Sequence, residues 1–156
     1  MVIQRWQTLL LLLTAGLMAC FTFLSLGQGQ TADYTFSFTT LGFCYEGEAT
    51  GGAPTGYLLH TWYFFIISLM SIILPLIDIF LFKNLRLQKR VCLVSLIFII
   101  ATMATGASLG YGCIEGGSIG WSEIVLAPFI AIVTTVLAWY CMQRDHKLLQ
   151  SADRLR

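Results

Sequence analysis

Four stretches of this chain run without the polar punctuation of a water-facing helix, at residues 8–26, 58–82, 91–109 and 124–142. A helix rises about 1.5 Å per residue, so roughly 20 apolar residues cross a hydrocarbon core of about 30 Å. Each stretch meets that length, and three of them carry no charge. The second holds one acid, Asp78, and an imidazole near its start, His60. In lipid a chain must satisfy its own backbone hydrogen bonds, so continuous apolar runs predict helices. The short alternating strands of an outer-membrane barrel do not occur in them. The expected fold is an all-α membrane protein, a four-transmembrane-helix bundle in a single domain.

Between the apolar runs lie two loops, 27–57 and 110–123, a turn at 83–90 and a tail at 143–156. The first loop opens on Gly27-Gln28-Gly29-Gln30, which reads as a flexible exit from the membrane. Tyr34-Thr35-Phe36-Ser37-Phe38-Thr39 then alternates aromatic and hydroxyl side chains with the period of a half-buried strand. Residues 41–45 can pair with it, and 51–56 is a turn-rich return to the bilayer. A loop this short buries no core of its own, so a small β-hairpin cap on the helix ends is expected.

Charge orients the bundle. All nine basic residues fall on one side: Arg5 before the first run, Lys83, Arg86, Lys89 and Arg90 in the turn, and Arg144, Lys147, Arg154 and Arg156 in the tail. The two loops hold none, although they contain more residues than the basic segments. The positive-inside rule places the basic side, with both termini, in the cytoplasm. Trp6 and Trp139 then mark the inner boundary, and Trp62 and Trp121 the outer one, the level that amphipathic rings prefer. Arg5 followed by an apolar run and Ala19 also suits a signal peptide, and Leu17-Met18-Ala19-Cys20 loosely resembles a lipoprotein cleavage box. The run continues unbroken to Leu26, which favours an intact first helix.

Composition agrees with lipid as the solvent. Hydrophobic residues make up 57%, charged residues 11%, and the mean hydropathy is +0.78. A water-exposed surface carries about a quarter charged residues.

Candidate chemistry is sparse. An ionisable group within a span is a functional hypothesis by default. Asp78 stands five positions before Lys83, near the inner end of its helix. It predicts either a structural ion pair or interhelical hydrogen bond, or a place where a proton or ion is handled. Cys44 and Cys113 lie one in each outer loop, where an oxidising exterior would favour a disulfide between them. Cys20, Cys92 and Cys141, in the spans or near the cytoplasm, read as free, buried small hydrophobes. Gly106 and Gly110 form a GxxxG pair within a small-residue face that includes Ala101, Ala104, Ala107 and Ser108. That face suits packing inside the bundle or a homodimer seam. Pro75 is expected to bend the second helix, whereas Pro128 sits where a first-turn proline is harmless. His60 and His146 fall on opposite sides, so no haem or metal pair is expected. Paired carboxylates, nucleophile–base arrangements and phosphate loops are missing from the pattern.

Three stretches together resemble a known family. They are residues 3–9 (Ile3-Gln4-Arg5-Trp6-Gln7-Thr8-Leu9), the basic turn 80–90 and the tail 145–156. The resemblance is to the family catalogued as domain of unknown function 4293, small four-helix membrane proteins of Bacteroidetes. It covers nearly the whole chain, and the tail motif is its most specific part. The resemblance implies a four-helix fold and a bacterial inner-membrane setting, and it supplies no catalytic residue. His146 stands where an acid is expected in that tail.

The functional expectation is a non-enzymatic accessory or scaffold subunit of a membrane complex, without a cofactor. The alternative is a small transporter or channel-forming subunit using Asp78; a membrane enzyme is the weakest class. Expected partners are the lipid bilayer and proteins, including other copies of the chain, rather than nucleic acid.

Overall fold

The computed structural model describes residues 2–30, 35–46, 56–81, 84–112 and 118–153. Four helices are long and apolar enough to cross a membrane. They are α1 (Val2–Phe23), α2 (Trp62–Phe80), α3 (Leu85–Gly112) and α4 (Ala127–Asp153). Strands β1 (Gly27–Gln30), β2 (Thr35–Thr39), β3 (Gly42–Glu46) and β4 (Tyr57–His60) lie between α1 and α2, and β5 (Ser118–Trp121) lies between α3 and α4. Each helix packs on two neighbours, α1 on α2 and α4, and α3 on α2 and α4.

Why these helices pack is visible in what they bury. Phe64, Ser68, Ser71, Pro75 and Asp78 face inward from α2. Gln88, Cys92, Ser95, Ile99, Thr102 and Gly106 do so from α3, and Gln7, Leu11, Thr14, Met18 and Phe21 from α1. The spacing alternates between three and four residues, an average of about 3.5, which keeps one seam facing the partner along a left-handed bundle. The seam is rich in hydroxyl and small side chains, while Leu12, Ile66, Ile97 and Val133 are among the large apolar residues on the outside. Small residues let backbones approach, and without a hydrophobic drive between helices that packing holds them together. Most seam hydroxyls bond back to their own helix, Ser71 Oγ to the Ser68 carbonyl at 2.6 Å and Thr102 Oγ1 to that of Phe98 at 2.8 Å. Thr14 Oγ1 reaches across to α4, 2.8 Å from Thr134 Oγ1 and 3.5 Å from Thr135 Oγ1.

The strands form one antiparallel sheet in the order β4-β3-β2-β1-β5. The β2–β3 hairpin lies where the aromatic alternation points to it. Register places Phe36 and Phe38 on one face together with Phe43, Gly29, Ile119 and Trp121. This face closes on the bundle, and Phe38 lies between Phe43 and Phe64 with ring centroids at 4.6 and 6.2 Å. Gln28, Thr35, Ser37, Thr39 and Cys44 fall on the other, polar face. Three buried threonines join sheet to helices. Thr40 Oγ1 donates to the Thr22 carbonyl at the end of α1 at 2.6 Å, and Thr61 Oγ1 to the Thr40 carbonyl at 3.2 Å.

Several expectations change. Residues 27–30 are a paired strand rather than a flexible exit. Glycine lacks strand propensity, but Gly29 leaves the space that the Phe36 ring occupies: a Cβ there would stand 2.1 Å from Phe36 Cζ. The second loop adds β5 to the same sheet, pairing Gly27–Gln30 with Ser118–Trp121. Residues 58–60, expected to open the second span, belong to β4, and α2 begins at Trp62. The turn at 83–90 is helical from Leu85, whereas the tail, whose apolar spacing suits a continuation of the fourth helix or a segment on the headgroups, does continue α4 as far as Asp153. Pro75 and Pro128 lie inside α2 and at the second position of α4.

Candidate functional site

Asp78 and Gln88 occupy seam positions on α2 and α3 at the end of the bundle away from the sheet. Both side chains are buried. Gln88 Nε2 donates to the backbone carbonyl of Asp78 at 3.3 Å, which ties the end of α2 to the start of α3. The carboxylate itself has no such tie. Both Asp78 carboxylate oxygens and Gln88 Oε1 lack a hydrogen-bond partner, and they are the only such buried side-chain atoms among the described residues. Leaving a buried acceptor unmet costs about 1–3 kcal/mol, so native structures rarely do so without a reason.

Among the described side chains, none forms the ion pair expected of Asp78, and the interhelical hydrogen bond that does form uses its backbone carbonyl rather than its carboxylate. The reason is helical phase. Positions one and two residues beyond Gln88 turn away from the seam, leaving Lys89 half-buried and Arg90 exposed. Lys83 lies outside the described residues, and only the backbone of Arg86 is described. Among the described side chains it is a glutamine, not a base, that reaches inward beside the acid.

Cys92 follows one turn along the seam, its Sγ 3.7 Å from the Thr135 carbonyl and within range of the Asp78 charge. Across the same end, Gln7 Nε2 donates to the Asp145 carboxylate, linking α1 to α4. Leu11, Cys92, Ala138 and Met142 close the space between with an apolar cluster. Among the described residues no three His, Cys, Asp or Glu side chains converge as a metal site requires. Neither Gln88 nor Cys92 stood out in the sequence. A seven-residue spacing of polar groups, Gln88, Ser95 and Thr102, was the signal that could have marked the seam.

The remaining candidates sit at the sheet end. Gly106 faces the Phe64 ring, where an added Cβ would stand 3.1 Å from Cζ. Gly110 faces Trp121, with 2.2 Å to Cη2. The two glycines thus receive aromatic rings from α2 and β5 rather than a facing helix backbone. Ala104, Ala107 and Ser108 of the small-residue face are exposed. Cys44 carries a free thiol on β3, 3.9 Å from the Tyr45 carbonyl, and Cys113 lies outside the described residues. Cys20, expected to be buried, is exposed. What joins the two loops is backbone pairing of β1 with β5, continued by Ser122 N–H to the Leu26 carbonyl at 2.9 Å. His60 stacks on Trp62 with centroids 6.0 Å apart. Beneath the sheet a half-open apolar cleft of about 300 Å³ lies between α3 and α4, bordered by Met103, Ala107, Tyr111, Trp121 and Phe129.

A family model described as Domain of unknown function (DUF4293) matches residues 3–155. The chain belongs to this family. No curated protein matches it. Membership in DUF4293 covers the bundle and the sheet alike, so the capped four-helix fold described above falls almost wholly inside the family match. Because the family description assigns no activity, the chemistry of this DUF4293 chain has to be read from its own side chains.

Proposed function

We propose that this chain is a non-enzymatic accessory subunit of a complex in the bacterial inner membrane. It crosses the bilayer four times with both termini in the cytoplasm, and the sheet caps the opposite side. One observation supports the scaffold role above the rest. The apolar part of the fourth helix ends at Asp145, but α4 continues to Asp153 without a break. Eight further residues extend it by roughly 12 Å. The arm carries Lys147, Leu148, Ala152 and Asp153, a charged pattern with apolar positions four apart. Such an arm offers a partner a preformed surface and reduces the ordering cost of binding.

Deleting residues 146–156 is expected to leave the bundle assembled in mild detergent and to remove its co-purifying proteins. Repeated isolation of the full chain as a lone monomer would defeat the scaffold reading. A second reading, a small transporter subunit, is favoured by the burial of Asp78 in the seam. Unchanged ion flux in an intact, assembled Asp78→Asn variant would exclude transport through that residue.

A further inference from the structure

We propose that Asp78 and Gln88 form a buried proton-binding site, with the proton carried on the Asp78 carboxyl and donated as a hydrogen bond to the Gln88 amide oxygen. The inference stands apart from the scaffold role and requires no transport.

Its basis is donor–acceptor accounting. Three acceptor oxygens, two from Asp78 and one from Gln88, lie buried with no donor. Gln88 Nε2 reaches the Asp78 main chain, so the Gln88 amide is held against that turn of α2. One proton answers the deficit. It turns the carboxylate into a neutral group with its own O–H donor, and Gln88 Oε1 is the unmet acceptor on the neighbouring helix. An unpaired buried charge is removed in the same step. A hard divalent cation is a poorer occupant, because calcium or magnesium takes six or more oxygen ligands and the described residues offer only three orphaned side-chain oxygens.

Among the described side chains, the surroundings supply no rival counter-charge. From α3 the titratable neighbour is the Cys92 thiol. At this end α1 presents Gln7, whose amide is engaged with Asp145 of α4, and α4 presents Met142 to the seam. Lys89 and Arg90 sit on the outward side of α3. Proton uptake forms one O–H bond on the carboxylate at the expense of a hydronium ion, and release reverses it; nothing is oxidised or reduced.

Infrared spectroscopy of the full chain in lipid vesicles near neutrality tests the proposal. The carbonyl stretch of a protonated carboxyl is expected in the native chain, to shift when aspartate is labelled with carbon-13, and to disappear in Asp78→Asn. Gln88→Leu is expected to shift the same band by removing the hydrogen-bond acceptor. The isotope measurement needs no variant, so its failure overturns the proposal even where a substitution prevents assembly; because Asp33, Asp145 and Asp153 carry the label too, the Asp78→Asn spectrum supplies the assignment. Absence of an isotope-sensitive protonated band would overturn the proposal. Disappearance of that band on adding sodium at constant pH would also overturn it, assigning the oxygens to an alkali cation.

Discussion

Truncating Phe38 to alanine is expected to destabilise the protein by about 3–5 kcal/mol, the range for removing a fully buried aromatic side chain. Phe38 is completely buried. It joins Phe43 of the sheet to Phe64 of α2, and its edge contact with Trp121 reaches β5 at 6.3 Å. The loss concentrates at the sheet, because the helices keep their backbone hydrogen bonds in lipid whether or not the cap is seated. The expected result is a lower thermal midpoint in detergent, a changed tryptophan emission, and protease cleavage between α1 and α2 while helical circular dichroism is retained. An unchanged midpoint would show that the aromatic cluster does not hold the cap.

Gly42→Ala is expected to be nearly as damaging, about 2–4 kcal/mol, for a different reason. Gly42 has φ of 142°, a conformation that side-chain-bearing residues rarely adopt. A Cβ there would also stand 2.0 Å from the Leu59 backbone oxygen. That neighbour is main chain, paired across β3 and β4, and it cannot rotate aside. Gly56 provides the comparison. Its φ is 138°, yet nothing lies within 4 Å of the added atom. Gly56→Ala should therefore show only the conformational part, about 1 kcal/mol. Equal midpoints for the two variants would mean that the β3–β4 contact contributes nothing.

Both predictions concern the sheet, a part of the fold that was only partly legible in the sequence. The spans were readable because their signal is additive: length and apolarity alone satisfy the bilayer. The β2–β3 hairpin was readable because Phe36 and Phe38 alternate with hydroxyl residues. β1 was not, since Gly27-Gln28-Gly29-Gln30 has no strand-forming side chain and becomes a strand only through its partners on both sides. β4 was hidden by its apolarity, which resembles the helix that follows. The seam was hidden more deeply. In a lipid-solvated bundle the outward face is as apolar as any other, so hydropathy says little about which residues face inward. The periodicity that matters is of small and hydroxyl residues, and in α3 it runs through Gln88, Ser95, Thr102 and Gly106 rather than through Ala104, Ala107 and Ser108, which are exposed.

The candidate site was half legible for the same reason. Asp78 is visible as the one acid in an apolar run, whatever the fold. Its neighbour depends on how α2 and α3 meet, and Lys89 and Arg90 are closer in charge logic but wrong in phase. Gln88 is the residue that the seam delivers.

Everything proposed for this protein depends on the sheet and the basic end of the bundle facing opposite sides of a bilayer. Membrane-impermeant thiol labelling of intact cells tests this directly. One chain keeps Cys44, the free thiol on the polar face of β3, and has alanine at Cys20, Cys92, Cys113 and Cys141. The second has all five cysteines replaced and Asn84→Cys at the exposed start of α3. Cys44 is expected to label on intact cells, after passage through the outer membrane, and the residue 84 thiol only after the inner membrane is opened. Labelling of both positions from one side would mean that the four helices do not thread the membrane as described.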